Sequence, residues 1–190
     1  MKISKYITAL AAACSLLCLA TPASAVIVNV AGTANPWAAF GPAPDGGTAP
    51  TFIGGLAAGD NITFTASGLV NWGFPVGGPG VGPAGAAPQV SHGAAGGVTA
   101  LNNVNQSSLI GVWSNGVAFV MGASGGFVVP AGVSSLSLGT MDNGNWSDNT
   151  GSFSVDYTKT ASGVPDFGST LSLMVIGLGL MFAYRKHVLA

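Results

Sequence analysis

From Val26 to Pro165 the sequence has no cysteine, no glutamate and no arginine, and it has a single lysine, Lys159. Each gap excludes something. Without cysteine, an exported domain has no disulfides and must be held by its core or by a bound metal. With one lysine there is no row of cations to neutralise phosphates, which argues against a nucleic-acid partner, and no basic face for an anionic lipid surface. With a single histidine (His92) and no glutamate, little is left from which to assemble a nucleophile with its base, so the chain is expected not to be an enzyme. Asp142 and Asp148 are the nearest thing to an acid–base pair. The asparagines around them suit cation binding better than they suit raising one carboxylate's pKa.

What is present begins at the two ends. Met1-Lys2-Ile3-Ser4-Lys5 is cationic, Ile7 to Ala20 is apolar, and Ala23-Ser24-Ala25 has the small-x-small spacing of a signal-peptidase site. These features predict a signal peptide over residues 1–25 and a mature chain starting at Val26. An uncleaved N-terminal anchor is the alternative reading, but the apolar run is short for a span. A lipoprotein site at Cys14 or Cys18 fits the flanking residues poorly. Both cysteines fall inside the segment expected to be removed.

At the other end, Val164-Pro165-Asp166 and Gly168-Ser169-Thr170 precede an apolar run from Leu171 to Tyr184, followed by Arg185-Lys186. The apolar residues, rising about 1.5 Å each, make a marginal membrane span, with the basic pair on the cytoplasmic side. Residues 26–162 lie between. They amount to about 140 residues, one ordinary domain with room for a core.

Within that domain, β-branched and alternating segments recur without a sustained helical period. Strands are expected at Val26–Val30, at Asn61–Ser67 with an extension to Trp72, and at Ser108–Trp113. A turn at Ser114-Asn115-Gly116 should send the chain back through Val117–Met121. Further strands are expected at Phe127–Pro130, Ser135–Thr140 and Gly151–Thr158, the last with Phe153, Val155 and Tyr157 on one face. Pro36, Pro42, Pro44, Asp45-Gly46-Gly47 and Pro50 mark a long loop, folded against the body because Trp37 and Phe40 need burial. Phe74 to Gly97, rich in glycine, proline and alanine, reads as a second long loop. The fold expected is all-β, an antiparallel β-sandwich flanked by an N-terminal signal helix and a C-terminal apolar helix.

Between the last two expected strands, Met141 to Thr150 concentrates Asp142, Asn143, Asn145, Asp148 and Asn149. Hard cations such as Ca²⁺ take six to eight oxygens from carboxylates, amides and main-chain carbonyls. Asp142 and Asp148-Asn149 are expected to face each other across a hairpin there. The loop is not an EF-hand, lacking its ligand spacing and closing glutamate. A plain polar turn is the bland reading of the same residues.

Two resemblances add to this. The runs Phe127–Gly132, Leu138–Asp142 and Asn149–Val155, with Gly59–Phe64 continuing to Trp72, resemble the closing strands of the bacterial galactophilic-lectin family, the PA-IL-like sandwich of jelly-roll type. The resemblance implies one Ca²⁺ held by Asp142, Asp148, Asn149 and the carbonyls of Asn145 (or Trp146) and Trp72. It also implies contact with a galactose-type sugar or an exopolysaccharide through Asp142, Asn145, Trp146 and Asp148. This loop is one residue shorter than the family's, and Asp148 stands where the family has asparagine, a change that suits Ca²⁺. The family's histidine and glutamine sugar contacts have no clear counterpart; His92 and Gln89 align too loosely, and a lone loop histidine is usually solvated. Trp72, Trp146 and Trp113 are the candidate aromatic faces, with core burial the alternative for each.

The tail resembles exosortase-processed sorting signals, PEP-CTERM and its VPD-type variant, through Val164-Pro165-Asp166, Gly168 and Arg185-Lys186. That implies transient inner-membrane anchoring, cutting by an exosortase-like enzyme, and an envelope or extracellular destination. A permanent tail anchor is the alternative. A structural surface or matrix protein, in which the ion only staples a hairpin, is the alternative function.

Overall fold

In the strand β10 (Thr150–Thr160), Phe153 and Val155 are fully buried, Ser154 between them is half-buried, and Ser152 and Asp156 on either side are exposed. This period of two puts one face on a core and the other in water. The computed structural model describes residues 25–73 and 80–162. The chain divides after Thr160 into two units, and the fold described is that of the first.

The other strands are β1 (Ala25–Ala31), β2 (Thr51–Ile53), β3 (Asn61–Asn71), β4 (Ala86–His92), β5 (Leu101–Gln106), β6 (Leu109–Trp113), β7 (Ala118–Val120), β8 (Ser124–Val128) and β9 (Leu136–Thr140). They form two four-stranded antiparallel sheets, ordered β1-β10-β3-β8 and β2-β9-β6-β7, and a separate ribbon β4-β5. Val30, Ile62, Phe64, Phe153 and Val155 of the first sheet share one core with Ile53, Leu109, Trp113, Leu136 and Leu138 of the second. That is a β-sandwich, each buried Val, Leu or Phe side chain contributing roughly 1.5–3 kcal/mol. With the ribbon set aside, the first sheet holds the first, eighth, third and sixth strands and the second holds the second, seventh, fourth and fifth. This is the alternation of an eight-stranded jelly roll.

Most of the expected strands are present within a residue or two. The Ser114–Gly116 turn returns the chain as expected, with Asn115 Oδ1 accepting from the Val117 amide at 3.2 Å. Two expectations are corrected and one strand is added. The Phe74–Gly97 stretch is not all loop: its second part forms β4, which pairs with β5 through two register shifts. Thr51–Ile53, where no strand was expected, is an edge strand beside β9. Met141–Asn149 is not a hairpin either, because β9 and β10 belong to different sheets and the segment crosses from one to the other.

In the first long loop Trp37 is fully buried, on a 3-10 turn Pro36–Ala38 capped by Asn35 Oδ1. Phe40, also expected to be buried, is half exposed. Trp37 joins Trp146, Met141, Ile110, Val90 and Val104 in a second core beneath the ribbon.

Candidate functional site

Strand register brings several chain ends to one end of the sandwich. Leu109 pairs with Thr140, Thr150 with Asn71, and Ala31 with Ser152. The segment after β1 ties the sheets together there, the Gly32 carbonyl accepting from Thr140 Oγ1 (2.7 Å) and from Asn149 Nδ2 (3.2 Å). The ribbon closes the same end, since the Ser107 amide donates to the Met141 carbonyl and the Met141 amide to the Ser108 carbonyl, each at 2.8 Å.

Between these ends opens a cleft of about 380 Å³ lined by Trp72, Gly73, Pro88, Gln106, Asp142, Asn143, Gly144, Asn145 and Asp148. Four expected site residues, Asp142, Asn145, Asp148 and Trp72, therefore meet in one place. They come from both sheets: Asp142 follows β9, Asp148 precedes β10, and Trp72 follows β3. Gly73 allows the close approach, because a Cβ there would overlap the Asp148 carbonyl and lie 2.7 Å from its Cβ.

Each carboxylate is oriented by a neighbour. Asp142, only 4% exposed, accepts the Asn143 amide on Oδ1 at 2.6 Å. Asp148 accepts Asn145 Nδ2 on Oδ2 at 3.1 Å. Among the described residues no basic side chain pairs with either one. Lys159 instead donates to the Gly55 carbonyl and lies 3.9 Å from Asp60. Register puts Lys159 about 30 Å along β10 from Thr150.

Asn149 is buried behind the cleft. Its amide nitrogen is used by Gly32, while among the described residues its Oδ1 has no hydrogen-bond partner. Asn71 Oδ1, at the end of β3, is likewise buried and, among the described residues, without a partner. Buried acceptors are rarely left so, unless a water or a cation supplies the missing partner. Among the described residues no cluster of three His, Cys, Asp or Glu side chains occurs. A cation here would combine two carboxylates with amide and main-chain oxygens, the donor set of a hard ion.

Trp146 does not serve as expected. It is fully buried on a 3-10 turn (Trp146–Asp148), its Nε1 donates to the Thr140 carbonyl at 2.8 Å, and its ring packs on Trp37 and His92. No face of it is left for a sugar. Trp113 is also buried, against Phe119 and Phe127, which leaves half-buried Trp72 as the aromatic surface of the cleft.

His92 is not a solvated loop histidine. Its Nε2 lies 2.9 Å from Asp45 Oδ2, its Nδ1 lies 2.8 Å from the Gly93 carbonyl, and its ring packs, tilted, with its centroid 4.0 Å from that of Trp37. Gln89 is on the exposed side of β4 and does not line the cleft.

Sequence reading passed over Gln106 and Pro88, because the ribbon that carries them was not recognised. It also counts a Gly-x-Ser-x-Gly motif as absent, which is wrong: Gly122-Ala123-Ser124-Gly125-Gly126 has the spacing of a nucleophile elbow. Ser124 heads edge strand β8 and pairs with Thr65 inside a sheet, not on a strand-to-helix turn. Ala25 heads β1, opposite Thr158. Ala23, Val164, Pro165, Asp166, Gly168, Arg185 and Lys186 lie outside the described residues, and so do the expected signal and tail helices. Among the described residues no helix is long and apolar enough to cross a membrane.

No family model matches the chain, and no curated protein matches it. Among solved structures the chain is similar to one described as the EclA N-terminal domain, a PllA-like lectin. The match has 23% sequence identity, covers 70% of this chain and 94% of that one, and has a TM-score of 0.44.

Proposed function

We propose that this chain is an exported β-sandwich, sorted through its tail, that binds one Ca²⁺ in the cleft and holds carbohydrate hydroxyls against it. One observation supports this above others: among the described residues, Asp142 and Asp148 share a cleft without a counter-cation, and the neighbouring buried Asn149 Oδ1 has no partner. Asp142 Oδ2, Asp148 Oδ1 and Asn149 Oδ1 would hold the ion, together with the Asn145 and Trp72 carbonyls. When bound, the ion supplies a Lewis-acidic point for paired hydroxyls. Trp72 offers a flat apolar face for the C–H side of a sugar ring.

The alternative function is favoured by the origin of the ligands in both sheets. An ion bridging Asp142 to Asp148 would tie the sheets together whether or not a sugar is bound. Titration calorimetry with Ca²⁺, followed by passage over immobilised galactose with and without chelator, separates these readings. Calcium-dependent retention supports the binder. A calcium-dependent rise in Tm without retention supports the staple. Absence of any Ca²⁺ heat or Tm shift defeats both.

A further inference from the structure

We infer that Gln106, at the end of β5, is the residue that decides which hydroxylated ligand the cleft accepts. The inference rests on the cleft being a Ca²⁺ and carbohydrate site, and it concerns a wall of that site made by the β4-β5 ribbon. Gln106 is 8% exposed and lines the cleft with Pro88, Trp72 and the two aspartates. Its backbone is held by pairing with Ala86 and its successor by the Ser107–Met141 hydrogen bond. Among the described residues its side-chain amide has no hydrogen-bond partner. A long polar side chain held this way, reaching a cleft without being used inside the protein, is a recognition group without its ligand.

The backbone next to it is unusual. Ser107 has φ +59°, the left-handed region that non-glycine residues rarely occupy, and it is fully buried. Such conformations persist where surrounding contacts enforce them, and they cluster at binding sites. Here Ser107 makes the abrupt step from β5 into β6, which leaves Gln106 at the cleft rim beside Met141-Asp142.

The chemistry follows from the amide. The carboxylates only accept and the cation only attracts lone pairs, so neither distinguishes one hydroxyl arrangement from another beyond the pair they hold. A primary amide donates and accepts, and in a fixed wall it matches one further hydroxyl at one position of a sugar ring. A site built to pair a hydroxyl rejects the analogue lacking it, because the amide then faces the bound ligand without that partner.

The test uses the full chain, methyl galacto-, gluco- and mannopyranosides, and the monodeoxy analogues of whichever binds tightest, all in saturating Ca²⁺. In the natural protein, apart from the two hydroxyls paired on the cation, one further deoxy position should cost about ten-fold in affinity beyond the rest. In Gln106→Ala, and in Gln106→Met, which keeps the packing, that penalty should vanish while the Kd for Ca²⁺ stays within about two-fold. A merely structural Gln106 would weaken all analogues alike, and that result overturns the inference. So does full retention of the deoxy penalty in both variants. Calcium binding without any hexoside binding overturns it as well. Absence of Ca²⁺ binding in the natural protein instead brings down the underlying reading of the cleft, with this inference on top of it.

Discussion

At the residue scale the cleft depends on Asp142. It lines the cleft together with Asp148, and among the described residues no cationic side chain lines it. Asp142→Asn keeps an oxygen to accept the Asn143 amide while removing one charge. Thermal unfolding in chelator should therefore occur at the same or a higher temperature than in the natural protein. In Ca²⁺ the order should reverse, because the variant loses the Ca²⁺-induced rise in Tm and binds the ion at least roughly ten-fold more weakly. Differential scanning fluorimetry in both buffers measures both signs at once. A variant destabilised equally in chelator and in Ca²⁺ would mean that Asp142 has only a packing role. The oxygen-rich character of this loop was legible in the sequence, since Asp and Asn at that density are visible in any reading. The fate of Trp146 was not. A tryptophan between Asn145 and Ser147 looks like a surface ring, and only the placement of Trp37 and His92 beneath it turns it into core.

At the element scale the loop is positioned by another loop. The Asp45-Gly46-Gly47 turn reaches the β4-β5 ribbon through His92 and the cleft segment through the bond from the Gly47 amide to Ser147 Oγ (3.0 Å). Gly47 has φ +86°, and a Cβ on it would collide with the Thr33 carbonyl and the Trp146 side chain. Gly47→Ala should cost on the order of 2 kcal/mol, read as a lower urea midpoint at unchanged m-value. It should also weaken Ca²⁺ binding, because the displaced Trp146 lies in the same 3-10 turn as Asp148. Unchanged Ca²⁺ affinity in a destabilised Gly47→Ala would show that the turn supports the fold without positioning the cleft. The β4-β5 ribbon escaped sequence reading for a physical reason. Val90 and Val104 are its buried pair, and the register shifts on either side break the alternation that marks a strand. The crossing of residues 141–149 between sheets was equally hidden, since the turn chemistry of a crossover and of a hairpin is the same.

At the scale of the whole molecule, the regular strands were legible because the sandwich buries one face of each. β3 and β10 carry Ile62, Phe64, Phe153 and Val155 at period two, and no tertiary knowledge is needed to see it. The pairing of β10 between β1 and β3, which sets the jelly-roll order, is a long-range choice with no local signature. That pairing leads to a last prediction, about what processing at both ends would leave. Removal of residues 1–25 deletes one pair from the β1 register, Ala25 with Thr158, and leaves Val26 to Ala31 matched with Tyr157 to Ser152. Ending the chain at Ser162 leaves β10 whole through its last pair, Thr160 with Asn61. Both cores and the cleft lie between these limits. A chain of residues 26–162 should therefore unfold cooperatively and have the same far-UV circular dichroism over its β-band as the full chain held in detergent. Its urea midpoint should fall within the small loss that one frayed terminal pair entails. It should bind Ca²⁺ with unchanged Kd. A shortened chain that aggregates or melts without a cooperative transition would mean that one of the removed ends is part of the fold, and a sorting signal that is cut away cannot be that.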